Sequence, residues 1–287
     1  MFKFSLKAPI GVKTRPLPTA LRYRLPRIPR TGSGIAARVL PRLSLKERMT
    51  PARYQGSLGT CASFGVTSCL EFFCQRDLSE ACLTHETETQ MGDCTAGLDI
   101  GTTMEGAKDN GIVEEEFWRY DYAQVCWANP GPPDVSMRPR YAFNDVWLVF
   151  AVERAIVIGE MESARHDPTD KVTAIKNILN QLRIPVAVGV PVFTIGRDHL
   201  DAGWEDGPDI HMPTQSNLKV WTEMDSRTVS GGEGWHTIPI CGFDDAAGRF
   251  EFKNSWGPWW GRTTGGFGTI PYQYVQQYAD CAFAATA

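Results

Sequence analysis

Long apolar runs are missing from this 287-residue chain; none approaches the ~18 consecutive apolar residues a membrane-spanning helix needs. The basic opening, MFKFSLKAPIGVKTRPL, has no apolar core segment. No secretory signal is therefore expected there, which predicts a cytoplasmic chain or one exported by a non-classical route. None of the eight cysteines (Cys61, Cys69, Cys74, Cys82, Cys94, Cys126, Cys241 and Cys281) falls in a CxxC or zinc-finger spacing, so no metal and no cofactor is expected. Histidine is scarce, with five residues, which leaves few candidates for proton transfer near neutral pH. Acid is nearly absent from residues 1–53, which hold 13 of the 29 Lys and Arg but only Glu47 of the 33 Asp and Glu. The remainder carries 16 bases against 32 acids, so a cationic arm precedes an acidic body. The arm lacks interleaved aromatics, so no nucleic-acid partner is expected.

What is present reads as a substantial α+β protein, 43% apolar by composition. Residues 1–40 are rich in Pro and Arg and read as an extended arm. A Gly-rich loop, Gln55-Gly56-Ser57-Leu58-Gly59-Thr60, leads into a helix. Along that helix Cys61, Phe64, Gly65, Ser68, Cys69, Phe72 and Phe73 recur at steps of three and four, with Thr60 as a candidate cap. Further helices are predicted over Thr103–Asn110, ended by Gly111, and over 167–182, where Val172, Ile175, Ile178, Leu179 and Leu182 form a stripe. Strands are predicted at Pro185–Phe193, His236–Phe243, around Phe250 and Phe252, and at Gly265–Tyr272. Residues 127–168 and 196–234 read as long loops or insertions. Helices first and strands later imply a helical lobe at about 54–140 and a strand-rich lobe at about 141–287.

Cys61 stands in the first turn of its helix, where free backbone N–H groups and the positive end of the helix dipole favour an anion. A thiol there is drawn toward thiolate. QGSLGTCASFG (55–65) resembles the nucleophile segment of the papain-like cysteine peptidases, with Gln55 at that family's spacing of six residues before the Cys. GWHTIPICGFDDAAGRFEFKNSWGPWWG (234–261) resembles the same family's His strand, hairpin and Asn-Ser-Trp-Gly segment. The weaker matches, GLDIGTTMEGAKDNGIVEEEFWRYD (97–121) and IKNILNQLRIPVAVGVPVF (175–193), fall between them in the family's order. The resemblance covers roughly residues 41–287, behind the 1–40 arm.

The resemblance implies a two-lobe papain-like fold, with a helical lobe, an antiparallel β-barrel-like lobe and a cleft between them. It implies Cys61 as nucleophile, His236 as base, Asn254 as its orienter and Gln55 as oxyanion donor. Trp256 would shield the His–Asn bond, and backbone at Gly101, Thr102 and Thr103 would pair with an extended peptide or protein substrate. Phe283 is a candidate for lining the specificity pocket. His236 follows Cys61 by 175 residues (236 − 61), against ~130–150 in small members. Leu58, Ala62 and Tyr54 depart from the common disulfide Cys, bulky Trp and Asp, a pattern closer to divergent bacterial members. A thioester-forming ligase or transamidase, and a silent binding scaffold, share the same residues as alternatives. No oligomeric state follows from the sequence.

Overall fold

A computed structural model describes residues 40–91, 97–121, 132–151, 170–193, 203–205, 207–218 and 234–287. The arm at 1–39 lies outside them, as do Cys94 and Cys126. No helix of the described residues is long and apolar enough to cross a membrane.

The chain runs β1 (Arg42–Ser44), α1 (Cys61–Cys74), α2 (Glu80–Met91), α3 (Ile100–Asp109), β2 (Asp145–Ala151), α4 (Lys171–Leu182), β3 (Val186–Pro191), β4 (Trp235–Asp244), β5 (Arg249–Lys253), β6 (Phe267–Pro271), α5 (Tyr272–Tyr278) and β7 (Cys281–Thr286). The strands form one antiparallel sheet in the order β2-β7-β3-β4-β5-β6, with β1 added to the far end of β4. No ladder joins β2 to β6 among the described residues, so the sheet is open rather than closed into the barrel-like form the sequence suggested.

Two apolar clusters fill the molecule. One joins α4, α5 and the sheet through Ile175, Val188, Ile238, Phe252 and Tyr274. The other joins α1, α2 and α3 with Ala187, Phe283 and Ala285 from the sheet. Helix α1 lies at their seam and is buried from Cys61 through Phe72 on every face, not along a single stripe. A helix buried all round tolerates no polar outer face, which is why its sequence reads CASFGVTSCLEFFC.

Several elements differ from expectation. Helix α3 starts at Ile100, three residues early, because Asp99 caps it by accepting from the Thr102 N–H at 2.8 Å. Strand β2 lies inside the predicted 127–168 loop. Its six-residue apolar run VWLVFA is an edge strand on β7. Helix α2 and strand β7 went unread because EACLTHETETQM carries no apolar stripe and CAFAAT is dominated by small residues.

Candidate active site

Strand β4 carries His236 in register with Val190, and β4 pairs with β5 so that Ile240 faces Phe252. Continued past Lys253, that register brings residue 254 opposite 238, which makes Asn254 and His236 diagonal neighbours. The structure joins them: His236 Nε2 lies 2.8 Å from Asn254 Oδ1. The same oxygen accepts the Ser255 backbone N–H at 2.8 Å, which fixes the amide's orientation. His236 must then donate from Nε2, leaving Nδ1 with its lone pair. Trp256 covers this pair, its ring 5.0 Å from the imidazole, and Trp204 meets the imidazole edge-on at 5.9 Å. Trp204 comes from the stretch predicted as loop (196–234), and no motif marks it.

The opposite side is built from the 53–61 loop. Tyr54 bridges Trp256, and the Gln55 N–H donates to Ser255 O at 2.9 Å. The Gln55 amide accepts from the Ser255 hydroxyl and donates to Leu58 O at 2.8 Å, which leaves its second N–H. Tyr120, at the end of the weaker 97–121 segment, donates to Gln55 O at 2.7 Å and pairs with the Thr60 hydroxyl at 2.8 Å. Thr60 therefore does not cap α1 with its side chain as predicted. The uncapped first turn leaves backbone N–H groups at the head of α1, and those of Cys61 and Ala62 act to favour the thiolate.

Cys61 is 2% and His236 3% exposed, so both are buried at the seam between the clusters. Among the described residues the sulfur makes no hydrogen bond to the imidazole. Its side-chain partner is Thr237, the next residue on β4, at 3.9 Å. Burial pushes the Cys61 thiol up to about 11, opposed by the bonds from Thr237 and the helix backbone. Burial also pulls His236 down to about 4, opposed by Asn254. Both groups are thus neutral at pH 7.

Gly101, Thr102 and Thr103 do not offer an extended edge. They form the first turn of α3, where Asp99 takes the N–H groups of Thr102 and Thr103. The Cβ direction of Gly101 is occupied by the Phe283 ring at 3.0 Å, and Phe283 is itself fully buried in β7.

Beside Asn254 lies a buried ionic group. Lys253 Nζ sits 3.7 Å from Glu71 and donates to Thr50 at 2.9 Å. Burial lowers the lysine and raises the glutamate, each partly offset by the other's charge. Arg53 bonds Asp77 at 2.7 Å and also bonds Glu115, tying the loop before Gln55 to the helical side.

No family model matches the chain. Solved structures do. Xylellain, a cysteine protease from Xylella fastidiosa, is 17% identical, with a TM-score of 0.65 over 100% of this chain and 99% of its own. Digestive procathepsin L 3 of the Tenebrio molitor larval midgut matches at 17% identity and TM-score 0.58, covering 92% of this chain and 75% of its own. A Carica candamarcensis cysteine protease solved with E-64 matches at 17% identity and TM-score 0.55, covering 86% of this chain and 99% of its own. An uncharacterized peptidase C1-like protein of Acanthamoeba polyphaga mimivirus is 24% identical over 186 residues, which are 64% of this chain and 49% of that one. The chain therefore has the papain-like α+β fold, and its match spans about half of that viral relative.

Proposed function

We propose that this chain is a cysteine peptidase that hydrolyses peptide bonds through a thioester on Cys61. The observation that carries the proposal is the His236–Asn254 pair, 2.8 Å apart, held beside the α1 N-terminus that bears Cys61 in a papain-like fold. Asn254 holds the imidazole with its proton on Nε2, so Nδ1 is the atom that takes the Cys61 proton. The sequence suggests a standing thiolate–imidazolium pair. Burial instead favours the neutral pair at rest, so proton transfer accompanies attack.

The sulfur adds to the scissile carbonyl, whose oxygen becomes an anion held by the second Gln55 N–H and the Cys61 backbone N–H. The imidazolium returns its proton to the leaving amine as the C–N bond breaks. Water, deprotonated by His236, then cleaves the thioester and restores the thiol. Trp256 keeps bulk water off the His–Asn bond. Substrate is a peptide or protein.

The test is Cys61→Ala assayed on a mixed peptide library. Hydrolysis should fall by roughly 10⁴-fold or more. Undiminished cleavage by the purified variant would exclude the proposal.

A further inference from the structure

The sequence assigns Thr237 no role in its motif, yet three observations converge on its side chain. It follows His236 on β4, is 1% exposed and stands in register with Gly189 of β3. Its methyl faces Gly65, one turn along α1 from Cys61: a Cβ on Gly65 would come within 2.7 Å of Thr237 Cγ2. A β-branched side chain wedged by its methyl keeps a single χ1, and so a single hydroxyl direction. That direction leads to the sulfur, 3.9 Å from the hydroxyl oxygen, an outer distance for a sulfur hydrogen bond. At rest the thiol donates to the hydroxyl. Once the thiol has lost its proton, the hydroxyl can turn its own hydrogen toward the larger, charged sulfur.

The geometry points to Thr237 as a positioning residue for Cys61: its hydroxyl anchors the sulfur at the head of α1 and donates to the thiolate as the proton leaves for His236. This rests on the peptidase reading for the role of Cys61, but the contact itself can be tested without turnover. The Thr237 hydroxyl contact acts against burial on the thiol, in the direction that favours the thiolate. The charged and titratable neighbours are His236 on β4, Asp280 and Cys281 across Gly189, and Arg53, Glu80 and Lys253 in the small pocket that Thr237 and Gly65 also line. None of these changes when only the hydroxyl is removed.

The experiment compares full-length wild type with Thr237→Val, which keeps the shape and loses the hydroxyl, and Thr237→Ser, which keeps the hydroxyl. Thr237→Ala lacks the hydroxyl without added bulk and stands in if the valine variant does not fold. Alkylation by iodoacetamide is followed at residue 61 by peptide mass across pH, with Cys74 as internal control. The hydroxyl-free variants should move the Cys61 midpoint up by about one pH unit and lower kcat about tenfold with little change in KM. Thr237→Ser should stay near wild type, and Cys74 should not move. An unmoved midpoint in the hydroxyl-free variants, or a serine variant that behaves like valine, overturns the assignment. A shifted midpoint in the hydroxyl-free variants, with a wild type that cleaves no peptide, retains the Thr237–sulfur coupling and rejects the peptidase reading. Cleavage without any shift does the reverse.

Discussion

The two sides of the candidate site are held in different ways. His236 and Asn254 are placed by strand register, through the β3–β4 and β4–β5 ladders and the turn at Ser255. Gln55 and Cys61 are placed by a loop. One isolated bridge, Tyr54 to Trp256, and a handful of side-chain bonds through Ser255, Tyr120 and Arg53 fix it. Ladders are cooperative and survive the loss of one side chain; a loop tied by individual bonds does not. His236 and Asn254 are therefore built into the fold, while Gln55 depends on single contacts.

Removing the amide on the loop side is the sharpest way to break this contrast. Gln55→Ala deletes the proposed oxyanion donor and its tie to Ser255, and should lower kcat by about 10²–10³-fold with the protein still folded. Steady-state kinetics on a cleaved peptide checks it. A loss confined to KM would show that Gln55 only binds substrate.

The strand side should reveal itself in stability against pH. His236 is held near 4 in the folded chain by burial, well below an ordinary imidazole. The unfolded chain therefore binds the extra proton first as pH falls below about 6.5, and stability declines through the window down to about 4. The loss attributable to this group is at most about 3 kcal/mol. Denaturant unfolding at pH 7, 5.5 and 4.5 should show this decline, with a shallower slope in His236→Gln. Equal slopes in both proteins would mean that the buried imidazole does not titrate in this range.

The seam between the two sides gives the smallest effect. Gly65→Ala puts a Cβ 2.7 Å from the Thr237 methyl and should cost about 1–3 kcal/mol as α1 shifts off β4. A change in thermal midpoint of a few degrees, together with slower Cys61 alkylation, is the expected pair of readings. A stability loss with unchanged alkylation would separate the packing from the sulfur contact.

The same division explains what the sequence revealed. Elements with strong periodicity or β-branched runs, such as α4 and β3, were legible, and so were the residues His236, Asn254, Gln55 and Cys61 through two long motifs. On the strand side His236 meets Asn254, and the loop side brings Gln55 to Ser255. Residue type alone does not single out the partners of these groups. Trp204 reaches His236 from a loop-like stretch, Tyr120 organises the 55–60 loop from beyond α3, and Thr237 looks like any strand threonine. The start of α3 differs because the Asp99 cap closes Gly101–Thr103 into a helix that sequence periodicity begins at Thr103.

The most direct measurement is covalent labelling with a peptidyl epoxide, read by intact mass and then by peptide mapping. One adduct per chain is expected, carried by Cys61 and lost in His236→Ala, because the sulfur attacks only when the imidazole beside it takes the proton. An adduct on another cysteine, or labelling of Cys61 that is indifferent to His236, would contradict the assignment of these two residues as nucleophile and base.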